Sequence, residues 1–201
     1  MSVNGTVQKT INLGGITFNQ TATPTGDGMV AHSVAVPVAT AGSLSTRTDD
    51  NMGVVDVSDS GHSFIQTDRV DLYWTGGSRR GMSVTNVSGS LITADGGAGD
   101  VLPAESSDVQ ITEPKLLDAA ITGDNVKAIF FHTSLLGQIT LVDSVDAELM
   151  SKKVGVNAVY DWEENNGEVN PIAGDTVAGI YLSNSSTTVE ATMKVGIVYT
   201  N

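Results

Sequence analysis

Apolar and polar residues alternate with a period of two over much of the chain, and the clearest stretch contains one of its two tryptophans. Val70, Leu72 and Trp74 occupy every second position there, which is the pattern of a half-buried β-strand. Glycines at 76–77 can take the positive φ angles of a tight turn, and the alternation resumes over residues 82–84. The stretch therefore predicts a β-hairpin, with Trp74 as a core anchor because of its large apolar area.

Similar patterns predict three further hairpins, in which two apolar segments flank a turn rich in glycine, asparagine or serine. The segments are 7–13 and 16–23 around Gly14-Gly15, 119–122 and 126–132 around residues 123–125, and 177–182 and 189–200 around residues 184–186. The run from Met29 to Ala39 contains Pro37, which cannot donate a backbone hydrogen bond to a neighbouring strand. We expect that run to form an edge strand or to bulge at the proline.

The second tryptophan, Trp162, ends another stretch in which apolar residues occupy every second position from residue 154. We interpret it as the second core anchor. The preceding segment, 143–153, fits two alternatives. Asp143 could cap a short helix that ends near Lys152 and Lys153, or the segment could continue as a strand.

Short strands separated by turns along the whole chain predict an all-β protein, and more specifically an antiparallel β-sandwich that is jelly-roll-like or barrel-like. One short helix near 143–153 is the single exception that the pattern allows. We expect one β-rich domain over residues 1–201. If the chain divides into two β halves, the glycine-dense loop at 95–105 is the expected boundary.

The net charge of the chain limits the classes of partner that it can bind. The formal net charge of −13 argues against nucleic acid, because proteins bind phosphate backbones through an excess of lysine and arginine. No run of apolar residues is long enough to span a membrane, and the N-terminus lacks the basic and apolar regions of a signal peptide. We therefore expect synthesis and folding in the cytoplasm, with neither a membrane nor a nucleic acid as partner.

The residue types that carry chemistry do not fall into known patterns. His32, His62 and His132 are in no catalytic spacing, and there is no nucleophile elbow, phosphate loop or dinucleotide fingerprint. The chain has no cysteine, and its acidic turn at 161–167 departs from the calcium-loop pattern. We expect no catalytic residues, no cofactor and no metal, and hence a protein that is not an enzyme.

Two strand-like phrases, residues 67–74 (Thr-Asp-Arg-Val-Asp-Leu-Tyr-Trp) and 174–181 (Gly-Asp-Thr-Val-Ala-Gly-Ile-Tyr), look like strands of bacteriophage virion proteins. In its acidity, its lack of cysteine and its abundance of threonine, valine and glycine, the chain resembles structural proteins of the head-decoration or tail type. That resemblance implies a structural protein of a self-assembling particle, located in the virion, with itself and other structural proteins as partners. The alternative is a carbohydrate- or surface-binding β-sandwich module, which would expose Trp74 or Trp162 beside a groove.

The candidate interface residues are Arg79 and Arg80, the only adjacent arginine pair in an otherwise acidic chain. Arginine binds carboxylates through a planar fork and is weakly hydrated, so it suits contacts between subunits. The hypothesis is that the pair reaches an acidic patch on a neighbouring copy, around Asp49-Asp50 or Glu163-Glu164, within a homo-oligomer. The alternative is that both residues are solubilising surface charges.

Overall fold

A computed structural model describes residues 7–13, 16–22, 27–58, 61–164 and 167–200. The described residues form β-strands and one short 3₁₀-helix, so the predicted all-β class is confirmed. The strands are β1 (Val7–Leu13), β2 (Ile16–Ala22), β3 (Asp27–Val36), β4 (Thr40–Arg47), β5 (Met52–Asp56), β6 (Arg69–Trp74), β7 (Gly77–Ser88), β8 (Leu91–Asp95), β9 (Ala98–Gly99), β10 (Asp108–Thr112), β11 (Lys115–Thr122), β12 (Val126–Thr133), β13 (Gly137–Val142), β14 (Glu148–Val154), β15 (Val159–Glu163), β16 (Thr176–Asn184) and β17 (Ala191–Thr200). The 3₁₀-helix covers Gly123–Asn125.

The chain divides into two compact units, and neither is continuous in sequence. The barrel unit consists of Val36–Lys115 and Ser183–Ala191. The sheet unit consists of Met1–Ala35, Leu116–Leu182 and Thr192–Asn201. The chain therefore leaves the barrel unit after residue 115 and returns to it for one short segment before its last strand.

Six antiparallel strands close the barrel of the barrel unit. The order is β6-β10-β4-β5-β8-β7, and β7 pairs back with β6, so the ring has no open edge. Its interior is lined by apolar side chains that alternate along each strand, including Leu44, Val55, Leu72, Met82 and Ile111. Burial of this continuous apolar surface is the main source of the barrel unit's stability.

The central hairpin that the sequence predicts is confirmed as β6 and β7. Trp74 pairs with Gly77 at its tip, and the pairing runs on to Arg69 opposite Ser83. The register shifts between Val70 and Leu72, which marks a β-bulge on β7. Val70 and Leu72 point into the barrel, as predicted.

The sheet unit contains two four-stranded sheets and one separate hairpin. The sheets have the orders β11-β16-β13-β14 and β15-β12-β17-β3, and the separate hairpin is β1-β2. The N-terminal hairpin is thus confirmed, although its glycine turn at 14–15 lies outside the described residues. β3 ends one residue before Pro37 and lies at a sheet edge, as the proline predicts.

Two of the predicted hairpins are wrong. β11 and β12 flank residues 123–125 but belong to different sheets, and so do β16 and β17 on either side of residues 184–186. In the first case Gly123 is held by Asp175, because its N–H donates to the Asp175 carbonyl at 2.8 Å. The same turn residues occur in a hairpin and in a connection between two sheets. The sequence pattern therefore does not distinguish the two kinds of connection.

The helix that was an alternative at 143–153 is also absent, since residues 148–154 form β14. Asp143 caps a turn here, and its Oδ1 accepts the N–H groups of Val145 and Ala147 at 2.9 and 2.8 Å. β14 then pairs along its length with β13. An aspartate that accepts nearby backbone N–H groups stabilises a turn as readily as a helix start, which explains the wrong alternative.

The glycine-dense loop at 95–105 lies within the barrel unit, and the chain divides at residues 115–116 instead. Leu102 from this loop is buried in the barrel interior. Gly97 has a φ of 71°, and a Cβ there would lie 2.3 Å from the Arg80 carbonyl oxygen. The glycines are therefore needed for close packing against β7, which is a different use from a flexible linker.

Candidate functional site

Arg79, one of the two candidate interface residues, is bound to its own chain. Its Nε donates to the Gly96 carbonyl at 2.6 Å, and its two Nη groups donate to the carbonyls of Asp100 and Gly97 at 3.1 and 2.9 Å. Three carbonyl groups of one loop thus converge on a single guanidinium. Hydrogen bonds from a charged donor are stronger than neutral ones, so Arg79 holds this loop against β7.

The same loop is tied to β7 by its aspartate. Ser78 N–H donates to Asp100 Oδ2 at 3.0 Å, and Asp100 N–H donates to the Ser78 carbonyl at 3.0 Å. The short strand β9 adds a backbone pairing of Gly99 with Arg79. Arg79 and Arg80 therefore lie on the part of β7 that pairs with the backbone of this loop.

Arg80 lies at the β-bulge opposite Asp71. The bulge leaves the N–H of Gly81 without a partner in the strand ladder, and Asp71 Oδ1 accepts it at 2.8 Å. Gly81 has a φ of 66°, a conformation that glycine adopts at little cost. Burial raises the pKa of Asp71, and the positive charges of Arg69 and Arg80 partly oppose that rise, so both arginines act on this carboxylate.

Asp71 belongs to a buried chain of three polar side chains. Ser183 Oγ donates to Asp71 Oδ2 at 2.5 Å, and the oxygens of Tyr73 and Ser183 are 2.6 Å apart. Asp71, Tyr73 and Ser183 are 4%, 2% and 0% exposed. Because Ser183 has one hydroxyl proton and gives it to Asp71, Tyr73 is the donor in the other bond.

Burial sets the ionisation of this group. It raises the pKa of the Asp71 carboxyl, against the opposing effect of the hydrogen bonds from Ser183 and Gly81 and of the arginine charges. Burial, followed by the charge of Asp71, raises the pKa of Tyr73 well above its ordinary value. The tyrosine hydroxyl therefore keeps its proton and remains a donor near neutral pH.

This network joins two distant parts of the sequence. Ser183 begins the segment 183–191, by which the chain returns to the barrel unit, and Asn184 follows it with no exposed surface. Asn184 Nδ2 donates to the carbonyls of Pro37 and Val189 at 3.3 and 3.0 Å. The segment is thus fixed to the outside of the barrel by buried polar side chains, each of which has a partner.

The alternation of β6 did not reveal the Asp71–Ser183–Tyr73 network. In a half-buried strand, Asp71 and Tyr73 would face solvent, opposite to Val70 and Leu72. Here both faces of the strand are buried, because the segment 183–191 covers the outer one. The only sequence signal is a pair of polar residues, Ser183 and Asn184, at the end of the apolar strand β16.

The two tryptophans lie in different units. Trp162 is 2% exposed in the sheet unit, where it pairs with Ile129 and its Nε1 donates to the Glu168 carbonyl at 3.4 Å. Trp74 is partly buried and packs against the barrel interior. Trp162 is therefore a buried packing residue, and Trp74 is a partly buried one.

Three of the four acidic residues proposed as acceptors for the arginine pair have partners in their own chain. Arg47 Nη2 lies 2.5 Å from Asp50 Oδ1, and Asp49 Oδ1 accepts the N–H groups of Asn51 and Met52 at 2.8 Å. Glu164 Oε1 lies 2.7 Å from Lys127 Nζ. The structure thus shows internal contacts for both arginines and for three of the four acidic residues in those patches.

The exposed surface carries several large aliphatic side chains. Val169 and Val145 are the most exposed, at 87% and 80%. The edge strand β11 adds Leu116, at 47%, and Ile121 is the only buried residue of this eight-residue strand. In the described part of the chain β11 pairs with β16 alone, so it is an edge strand of its sheet.

The described residues contain neither a candidate metal site nor a candidate membrane-spanning helix. They contain no group of three or more histidine, aspartate or glutamate side chains placed to hold a metal ion. They also contain no helix with the length and hydropathy of a membrane span. Comparison with protein families, with curated proteins and with solved structures finds no match for the chain.

Replacing Arg79 by alanine should lower the free energy of unfolding of the barrel unit by about 2 kcal/mol, because three charge-assisted hydrogen bonds to one loop are lost. Urea unfolding measures the change, and hydrogen exchange should show faster exchange over residues 96–102. Arg47→Ala is the matched control, since it removes an ion pair with the exposed Asp50, worth about 0–1 kcal/mol, and one exposed hydrogen bond to the Asp49 carbonyl. If Arg79→Ala unfolds like the wild type and weakens self-association instead, Arg79 acts between copies, as the sequence hypothesis holds.

Proposed function

We propose that the chain is a non-enzymatic structural subunit of a self-assembling particle, of the kind found in phage virions as a capsid-decoration, minor capsid or tail protein. Its partners are then other copies of itself and other structural proteins, and its location is the virion. The observation that carries the proposal is the edge strand β11, which is exposed over most of its length and open on one side.

An open strand edge is a template for pairing with another chain. Natural proteins protect such edges with charged residues, particularly lysine, or with proline. The opposite edge of the same sheet, β14, carries Lys152 and Lys153. β11 carries Lys115 and Asp118 in its first half but is uncharged from Ala119 to Thr122. Strand addition of this kind supplies main-chain hydrogen bonds without requiring catalytic or basic residues.

The exposed aliphatic side chains support the same proposal. Val145, Val156 and Val169 are each more than half exposed, and together with Leu116 they place apolar surface on the sheet unit. Single exposed apolar residues are common, but several on an acidic surface favour contacts with other proteins. The placement of the tryptophans disfavours the carbohydrate-binding alternative, because stacking on a sugar ring requires an exposed aromatic face.

Light scattering and electron microscopy of the native protein test the proposal. We expect a discrete oligomer that persists at high salt, since main-chain pairing and apolar burial are not screened by salt. A lysine at the exposed position Ala120 should weaken the assembly, because a charge in the middle of an edge strand opposes pairing. Asn86→Lys is the control, since Asn86 is exposed on a strand of the closed barrel. A protein that stays monomeric at every concentration would contradict the proposed function.

A further inference from the structure

A groove of about 250 Å³ lies on the surface of the barrel unit. Its apolar lining consists of Pro37, Val38, Phe64 and Ile111, and Glu113 is the charged residue of the lining. Val38 is 42% exposed, whereas Phe64 and Ile111 are buried and belong to the barrel interior. Pockets for small molecules and cofactors usually have about 300–1,000 Å³. The groove therefore suits a side chain of another protein better than a cofactor.

Contacts within the barrel unit hold the walls of the groove in place. The ring of His62 stacks on Phe64 with the ring centroids 5.7 Å apart, and His62 Nε2 lies 2.8 Å from the Gly89 carbonyl oxygen. At Pro37, the carbonyl accepts a hydrogen bond from Nδ2 of the buried Asn184 at 3.3 Å. Because these walls are already ordered, a side chain that enters the groove does not have to order them, which favours binding.

The charge of Glu113 discriminates among the exposed apolar side chains that could enter the groove. Several exposed apolar residues have an acidic neighbour in the sequence, which the Glu113 carboxylate would repel: Val101, Val145, Val169 and Val189. Among the exposed large apolar residues in the described part of the chain, Leu116 alone is next to a lysine, Lys115. Leu116 is 47% exposed, and Lys115 is exposed as well. Apolar shape and opposite charge therefore both favour the pair Lys115-Leu116 as the occupant.

The two sides of this contact adjoin in the sequence. Glu113 is separated from Lys115 and Leu116 by Pro114 alone. Within the described residues, neither the Glu113 carboxylate nor the Lys115 ammonium group makes an ion pair. In a two-fold dimer the same surface of each copy gives and receives the same contacts. A segment that carries both the groove residue and its complement meets that requirement.

We propose that Lys115 and Leu116 of a second copy occupy this groove, and that two copies exchange the contact around a two-fold axis. This inference rests on the proposed function and names the surfaces through which copies associate. Leu116 buries apolar area against Val38 and Phe64, which provides the affinity. Lys115 pairs with Glu113 of the other copy, which fixes the orientation between two acidic chains.

Charge reversal in the full-length protein tests the contact. Glu113→Lys and Lys115→Glu each place like charges together in the dimer. In sedimentation velocity, each should raise the dissociation constant for self-association by at least about tenfold, because like charges across an interface oppose association. A general effect of net charge predicts a different result, since Glu113→Lys makes the chain less acidic and would strengthen association. The double variant Glu113→Lys, Lys115→Glu restores both pairs at unchanged net charge and should associate like the wild type.

An equimolar mixture of the two single variants gives a second measurement. In the mixed dimer each reversed residue meets a residue of opposite charge, so the mixture should associate although each variant alone does not. Glu190→Lys and Lys153→Glu are the matched controls, because they make the same charge changes at exposed positions outside the groove. Both controls should associate like the wild type. Urea unfolding should give the same stability for all the variants, since every changed residue is exposed.

Two results would overturn the inference while the wild type still associates. One is a single variant at residue 113 or 115 that associates like the wild type. The other is a loss that neither the double variant nor the mixture restores, which would place the effect in folding or in another surface. A wild-type protein that never associates would instead overturn the proposed function itself.

Discussion

Replacing Asp71 by alanine is expected to lower the free energy of unfolding of the barrel unit by about 3 kcal/mol. The carboxylate accepts hydrogen bonds from Ser183 Oγ and from the N–H of Gly81, and both Asp71 and Ser183 are buried. Its removal leaves both donors without an acceptor, at a cost of about 1–3 kcal/mol each. The measurement is urea unfolding followed by circular dichroism, with hydrogen exchange to locate the loss in β6, β7 and the segment 183–191.

Three comparisons show whether the network causes this loss. Asp108→Ala removes an exposed carboxylate from the neighbouring strand β10 and should change stability by no more than about 0.5 kcal/mol. Asp71→Asn keeps an acceptor oxygen and should lose less than Asp71→Ala. In the double variant Asp71→Ala, Ser183→Ala the loss should be smaller than the sum of the single losses, because the hydroxyl left unpaired by the first change is gone. Additive losses would mean that Asp71 and Ser183 do not act through their hydrogen bond.

Replacing Trp162 by alanine should lower the free energy of unfolding of the sheet unit by about 3–5 kcal/mol. Trp162 is 2% exposed and pairs with Ile129, so its removal creates a large cavity beside β12. The loss includes the transfer free energy of the indole and the packing around it, since the interior cannot fully collapse into the space. Chemical unfolding followed by circular dichroism gives the value.

Val159→Ala is the matched control for Trp162. It shortens an apolar side chain on the same strand, but one that is 45% exposed, and we expect a change within about 0.5 kcal/mol. Trp162→Phe should lie between the two, because the phenyl ring refills part of the cavity. If Trp162→Ala costs less than the valine control, the tryptophan is not a packing centre of the sheet unit, and the carbohydrate-binding alternative becomes stronger.

The strands of this protein could be predicted from local patterns, but their partners could not. The alternation of Val70 and Leu72 and the glycines of the following turn predict β6 and β7, because both strands and the turn are adjacent in sequence. The same reasoning joined β16 to β17, which lie in different sheets. A period of two assigns each residue to a face of a strand, and it contains no information on which strand lies beside it.

The candidate site shows the same limit. Arg79 and Arg80 stand out in the sequence as scarce positive charge, and that pattern suggested a contact between copies. Their neighbours in the fold are the loop at 96–100 and the carboxylate of Asp71. No local feature of the sequence identifies carbonyl groups 17 to 21 residues away as the acceptors of Arg79.

The sequence by itself determined the all-β class, the hairpins β1-β2 and β6-β7 and the acidic surface, since these follow from side-chain period, turn residues and charge. The tertiary structure decided that six strands close into a barrel and that the chain divides into two discontinuous units. It also decided the environment of Asp71, since Tyr73 and Ser183 meet although they are 110 positions apart in the sequence. The physical reason is that burial depends on all the segments that pack around a residue, and a segment distant in sequence can cover a face that the local pattern assigns to solvent.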